Sequence, residues 1–226
     1  MNARVCVKAF LSRVIPDSFQ LRYLTLLPRL MRWKSAYCHA CPEFEEKHGL
    51  YDFLNEDVVG GKSVDYLEFG VWYGATLNSW LARNKHSDSR FYGFDTFTGL
   101  PEPWQGFSKV APAHTFTTHG TIPAIEDSRV QLIQGLFQNT LNNFLSKFTP
   151  EHQLIVHIDS DLYSSALFVL TRCDIIFDTG TIIIFDEFSS MDELRALEDY
   201  AAAYRRQYKV LGTSGPLLDQ VAITVQ

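Results

Sequence analysis

The chain has 226 residues, 46% of them hydrophobic and 20% charged, enough for one substantial core and unlike a disordered or collagen-like chain. A formal net charge of −6 argues against a general nucleic-acid surface, because phosphate binding draws its affinity from clustered Lys and Arg. No run reaches the about 18–20 apolar residues of a membrane-spanning helix, so no transmembrane segment is expected.

Residues 1–60 read as mainly helical, with breaks at Pro16, Pro28 and Pro42, and are expected to form an N-terminal helical cap on one globular unit, residues 61–226. Before Ser35, the basic residues Arg4, Lys8, Arg13, Arg22, Arg29, Arg32 and Lys34 face Asp17 alone, which reads as a solvated basic face of that cap. Its apolar residues make a homodimer reasonable. No secretion signal is visible, and Cys6, Cys38, Cys41 and Cys173 are too sparse for a disulfide framework, so a cytoplasmic location is expected. Cys38 and Cys41 form one CxxC, without the second pair that makes a zinc site persuasive.

From Val64 onward short apolar runs alternate with helical patterns, the signature of a doubly wound, mostly parallel α/β sheet, here seven-stranded. The first strand is read at Val64 to Val71, with a helix from Ala75 toward His86, and the second at Arg90 to Phe97. A less regular stretch from Gly99 to Ser128 carries Trp104, Phe107, His114, Phe116 and His119 and is long enough to suggest function. Strands follow at Val130 to Gly135, Leu154 to Asp159 and Gly180 to Phe188, with helices around Thr140 to Lys147, Ser164 to Phe177 and Met191 to Gln207. Two final strands, Tyr208 to Gly212 and Gln220 to Val225, read as a hairpin closing one sheet edge.

Two features carry chemistry. The first strand runs into Glu68, Gly70, Trp72, Gly74 and Thr76, a glycine-bearing turn before a helix, and Asp95 ends the second strand, where an acidic side chain can accept from ribose hydroxyls. A dinucleotide would want GxGxxG for its pyrophosphate; the GxxxG found here suits a nucleoside cofactor without phosphates, such as S-adenosylmethionine. The second feature is a set of carboxylates at neighbouring strand ends, Asp159, Asp161, Asp186 and Glu187, which repel one another unless protons or a cation neutralise them. Mg²⁺ with oxygen ligands is the leading candidate, and helix capping the structural alternative. His157 reads as a core residue, whereas His114 or His119 could serve as a proton acceptor.

LEFGVWYGAT, FYGFDTFTGLPEPW, GLFQNTL, HIDSDLYSSA and GTIIIFDEF, in this order and spacing, resemble the macrocin O-methyltransferase family, whose members methylate sugar hydroxyls on antibiotics. A more distant similarity is to catechol O-methyltransferase. The resemblance implies a class I S-adenosylmethionine-dependent methyltransferase acting on a hydroxyl of a small molecule. It implies that Gly70, Trp72 and Thr76 surround the methionine part of the cofactor with Glu68 close by, that Asp95 holds the ribose, and that Gly135, Leu136, Phe137 and Gln138 line the adenine. It further implies Mg²⁺ on Asp159, Asp186 and Glu187, with Asp161 as a further ligand or as the base. One departure stands out: Asp186, Glu187 and Phe188 replace the family's usual Asp-Asp-Tyr. The competing readings are a metal-independent methyltransferase with a histidine base, a nucleoside-binding module without catalysis, and a dehydrogenase.

Overall fold

The apolar runs become the strands of one sheet. The structure, a computed structural model, describes residues 19–105 and 110–226, with side chains from residue 26 onward. Arg4, Lys8, Arg13 and Phe107, singled out in the sequence, lie outside the described residues. Two compact units divide at His39 and Ala40. The first holds helix α1, Phe19–Tyr37.

The second unit begins with β1 (Glu43–Phe44) and the short helix α2 (Lys47–Phe53). Then come β2 (Val64–Phe69), α3 (Ala75–Arg83), β3 (Arg90–Asp95), β4 (Trp104–Gln105), β5 (Val110–Ala111) and β6 (Val130–Gln134). The chain continues through α4 (Phe137–Leu145), β7 (Gln153–Ile158), α5 (Tyr163–Cys173), β8 (Ile182–Phe185), α6 (Asp192–Tyr204), β9 (Tyr208–Ser214) and β10 (Gln220–Val225).

The main sheet has eight strands in the order β1-β9-β10-β8-β7-β2-β3-β6, and β4 pairs with β5 apart from it. From β8 through β7, β2 and β3 to β6 every pairing is parallel. Every residue of β2 and of β8 is buried, as expected for parallel strands covered on both faces. The expected seven strands are joined in the main sheet by an eighth, β1, which pairs with Thr213 and Ser214 and is too short to leave a periodic signal. The expected terminal hairpin forms toward one end of the sheet, with β10 antiparallel between β8 and β9.

Packing explains the register. Trp80 of α3 is fully buried, its ring centroid 5.5 Å from that of Tyr51 and 5.1 Å from that of Tyr66. Asp65, fully buried at the start of β2, accepts from Arg90 Nε at 2.6 Å and Nη2 at 2.8 Å and from the Glu151 and His152 backbone N–H groups. Burial alone would raise its pKa, but these donors hold the carboxyl below its usual range. The stretch after β3 is tied by its own backbone: Leu100 N–H donates to Thr115, His114 N–H to Leu100, and Thr118 and Gly120 N–H to Phe97.

The chain winds from β2 outward through β3 to β6, then returns to lay β7 and β8 on the other side of β2. Strand order therefore reverses between β2 and β7, where open α/β sheets bind ligands at the strands' carboxyl ends.

Candidate active site

At that reversal the end of β2 turns sharply. Gly70 has φ +104°, and a Cβ built on it would overlap the Asp159 carbonyl. Glycine is thus required here for two strand ends to approach, rather than for a ligand to do so. Gly74, at φ +80°, opens α3, and a Cβ there would come within 3.1 Å of the Ile125 side chain. Between them, Val71 and Trp72 donate their backbone N–H groups to Asp95 Oδ2 at 2.8 and 2.7 Å, and Phe97 N–H donates to Oδ1 at 2.6 Å. One carboxylate at the end of β3 thereby fixes the turn after β2.

A cavity of about 310 Å³ opens over this turn, within the range of small-molecule sites. Gly70, Trp72, Thr76 and Asp95 line one wall, and Leu136, Phe137 and Gln138 at the start of α4 line another. Trp72 and Phe116 meet edge to face at 5.5 Å and, with Tyr73, expose aromatic surface to it. The buried Ser160 hydroxyl, also on the lining, has no hydrogen-bond partner among the described residues, so it is available to a ligand. Glu68 and Gly135 are not among the lining residues. Glu68 is fully buried behind the turn, where it accepts from Tyr66 at 2.7 Å, and burial pushes its carboxyl up to about 8.

The far end of the cavity is acidic. Asp159, Asp161 and Glu187 line it, together with Lys47 from the start of α2. Asp161 sits at φ +60°, and burial, then the neighbouring Glu187, Asp186 and Asp192, push its carboxyl up to about 7. Burial and the charges of Asp186 and Asp161 hold Asp159 well above the usual carboxylate range. Glu193, fully buried in α6, accepts the Glu187 N–H at 3.0 Å and so fixes that turn.

Asp186 behaves differently. It is buried and does not line the cavity; Oδ1 accepts from Tyr51 at 2.8 Å and Oδ2 from Lys47 Nζ at 3.3 Å. His157 Nε2 lies 3.5 Å from Oδ1. Burial would raise the Asp186 pKa, but His157, Lys47 and Tyr51 hold it below its usual range. His157 itself is pulled down by burial and stays a neutral core residue, with Nδ1 2.7 Å from Tyr66. Lys47 is also pulled down by burial, yet Asp186, Asp159 and Glu68 outweigh this and hold its ammonium above the usual value.

The magnesium expectation draws no support from this arrangement. Among the described residues no group of three or more His, Cys, Asp or Glu side chains is placed to hold a metal ion. Asp159 and Glu187 face the cavity while Asp186 turns to Tyr51 and Lys47. At an effective dielectric of about 20, a divalent ion about 4 Å from an ammonium meets about 8 kcal/mol of repulsion, which cancels the attraction of about one carboxylate at that distance. Of the expected ligands, Asp186 already has a donor on each oxygen, from Tyr51 and Lys47. Neither histidine of the long segment is a lining residue: His114 and His119 are both exposed, at φ +68° and +57°. Trp104 is not a lining residue either; it is buried with Ala111, Leu162 and Leu100, of which Leu100 lines the cavity.

The sequence profile of the macrocin O-methyltransferase family matches residues 47–214. The chain belongs to this family. It is an S-adenosylmethionine-dependent O-methyltransferase. The methyltransferase fold is shared with solved structures of low sequence identity. The O-methyltransferase NovP is 20% identical over 79% of this chain and 78% of its own, with a TM-score of 0.59. The calicheamicin methyltransferase CalS11 is 20% identical over 96% and 89%, with a TM-score of 0.61. An O-methyltransferase from Bacillus cereus, in complex with SAH, is 20% identical over 97% and 96%, with a TM-score of 0.53. No curated protein sequence matches the chain.

The sequence missed Lys47, Tyr51, Tyr66 and Glu193. Lys47 and Tyr51 stand four apart, so one face of α2 carries both toward Asp186.

Proposed function

We propose that this methyltransferase transfers the methyl group of S-adenosylmethionine to a hydroxyl oxygen of a small molecule of sugar or natural-product type. The observation that carries the reading is one cavity with an aromatic, glycine-turn wall at one end and Asp159, Asp161 and Glu187 at the other. Trp72, Thr76 and Gly70 are assigned to the methionine part, Asp95 to the ribose, and Leu136, Phe137 and Gln138 to the adenine. Glu68 lies buried behind the turn, bonded to Tyr66, and Gly135, at φ +141°, leads the backbone into Leu136.

The sulfonium supplies an activated methyl: as the acceptor oxygen bonds to the methyl carbon, the carbon–sulfur bond breaks and leaves a neutral thioether. The residues of the chain have two tasks. They hold the reacting atoms in line, which can supply several kcal/mol of the barrier and about 7–11 in favourable cases. They also take the hydroxyl proton, and Asp161 is assigned as its acceptor, because a cavity carboxyl near pKa 7 is matched to neutral pH. Burial and the charges of Glu187, Asp186 and Asp192 tune this base, while Asp159 lines the same end of the cavity. His114 lies off the cavity lining and does not serve as this acceptor.

The sugar-type acceptor draws support from family membership and from CalS11, which is a TDP-rhamnose 3'-O-methyltransferase. Transfer of labelled methyl to a panel of sugar nucleotides, glycosylated natural products and phenols, beside calorimetry with S-adenosylhomocysteine, tests the reading. Binding of S-adenosylhomocysteine with labelling of a hydroxyl supports it. Binding without transfer to any hydroxyl overturns it in favour of a module that holds the nucleoside without catalysis.

A further inference from the structure

Four carboxylates gather at the acceptor end, and one ammonium reaches them from α2. Lys47 is the first residue of that helix, lines the cavity, and puts Nζ 3.3 Å from Asp186 Oδ2. Its side chain is 36% exposed, so it meets both the buried carboxylate and the open cavity. Tyr51, one turn along the same helix, donates to the other oxygen of Asp186 at 2.8 Å. The helix therefore presents a donor to each oxygen of the carboxylate that the metal-dependent arrangement would give to an ion. An ammonium carries three N–H groups, and the bond to Asp186 uses one.

We infer that the Lys47 ammonium, in place of a divalent ion, is the cation that neutralises the Asp159–Asp186 end of the cavity and the donor that receives the acceptor oxygen. The inference rests on the methyl-transfer reading above and adds to it the residue that supplies positive charge. A donor already fixed where negative charge develops stabilises the transition state without reorganisation. The proton still leaves the hydroxyl for Asp161, and Lys47 keeps its own.

The test uses the full chain, freed of metal by chelator and desalted, with Mn²⁺ as the probe because it suits the same oxygen ligands as Mg²⁺. Free Mn²⁺ is followed by electron paramagnetic resonance, and S-adenosylhomocysteine binding by calorimetry. Wild type and Lys47→Arg are expected to take up no stoichiometric Mn²⁺, whereas Lys47→Met takes up one ion per chain, all three binding S-adenosylhomocysteine alike. One Mn²⁺ per wild-type chain overturns the inference, as does none in Lys47→Met, since the carboxylates then need no cation. Lys47→Gln serves as the neutral variant should Lys47→Met not fold. With the acceptor in hand, Lys47→Met is expected to lower kcat by about 100-fold, the scale of a lost oxyanion donor; an unchanged kcat overturns the inference. Failure of wild type to bind S-adenosylhomocysteine is a separate result, which strikes the methyl-transfer reading instead.

Discussion

Gly70 and Asp159 meet backbone against backbone, and the ends of β2 and β7 leave no room for a Cβ between them. Gly70→Ala must both adopt a positive φ and push apart two strands of the core. We expect a loss of about 3 kcal/mol or more in urea unfolding, the scale of combined backbone strain and overpacking. A change below about 0.5 kcal/mol, typical of an indifferent site, would show that the strand ends part freely.

Asp95 holds the turn after β2 through two backbone N–H groups and accepts a third from Phe97 on its own segment. Asp95→Asn keeps the shape but faces an amide donor toward at least one N–H. S-adenosylhomocysteine affinity is expected to fall at least about tenfold, corresponding to about 1.4 kcal/mol, in calorimetry. An unchanged Kd would mean that the turn keeps its form without the carboxylate.

Tyr51→Phe removes a hydrogen bond to a buried carboxylate without changing packing volume much. Bonds to charged groups are worth about 1.5–3 kcal/mol, and urea denaturation should report a loss in that range. Equal stability would indicate that Lys47 alone satisfies Asp186.

Glu68 and Asp161 have folded pKa values pushed up to about 8 and about 7, above the usual carboxylate range. The folded state therefore holds protons that the unfolded chain has released. Their contribution to stability is complete below the unfolded carboxylate range and is lost as pH rises through 7 and 8. Stability should fall from about pH 4 and level off by about pH 8, and Glu68→Gln should flatten that slope. Activity moves the other way, since a base works deprotonated: kcat/KM should rise through about pH 7, and Asp161→Asn should abolish the rise. Asparagine tolerates the positive φ at this position. A pH-independent rate in wild type would remove Asp161 as the base.

The strands were legible because a parallel sheet covered on both faces forces near-continuous apolar runs, as in Leu154 to Ile158 and Ile182 to Phe185. Helix starts were less so: α4 begins at Phe137, ahead of the polar Asn139 and Thr140, and Leu136 offers no side-chain cap to mark it. The carboxylate end was legible in its residue types but not in its orientation. Asp186 and Glu187 are adjacent in the bend just past β8, and one turns inward to Tyr51 and Lys47 while the other lines the cavity. Lys47 was hidden because its role depends on a contact 139 positions away. Glu193 reads as part of a charged, solvated helix, and only tertiary structure reveals it under the Glu187 backbone.

β10 sits between β8 and β9, with Val221 to Thr224 paired against Phe185 to Ile182. During synthesis the apolar β8 must wait with an open edge until residues near 225 leave the ribosome. Such late, non-local closure slows folding and exposes a template for mispairing. The nascent chain is therefore most vulnerable to aggregation just before β10 arrives, when the residues lining the cavity have all been made but the sheet that holds them has not.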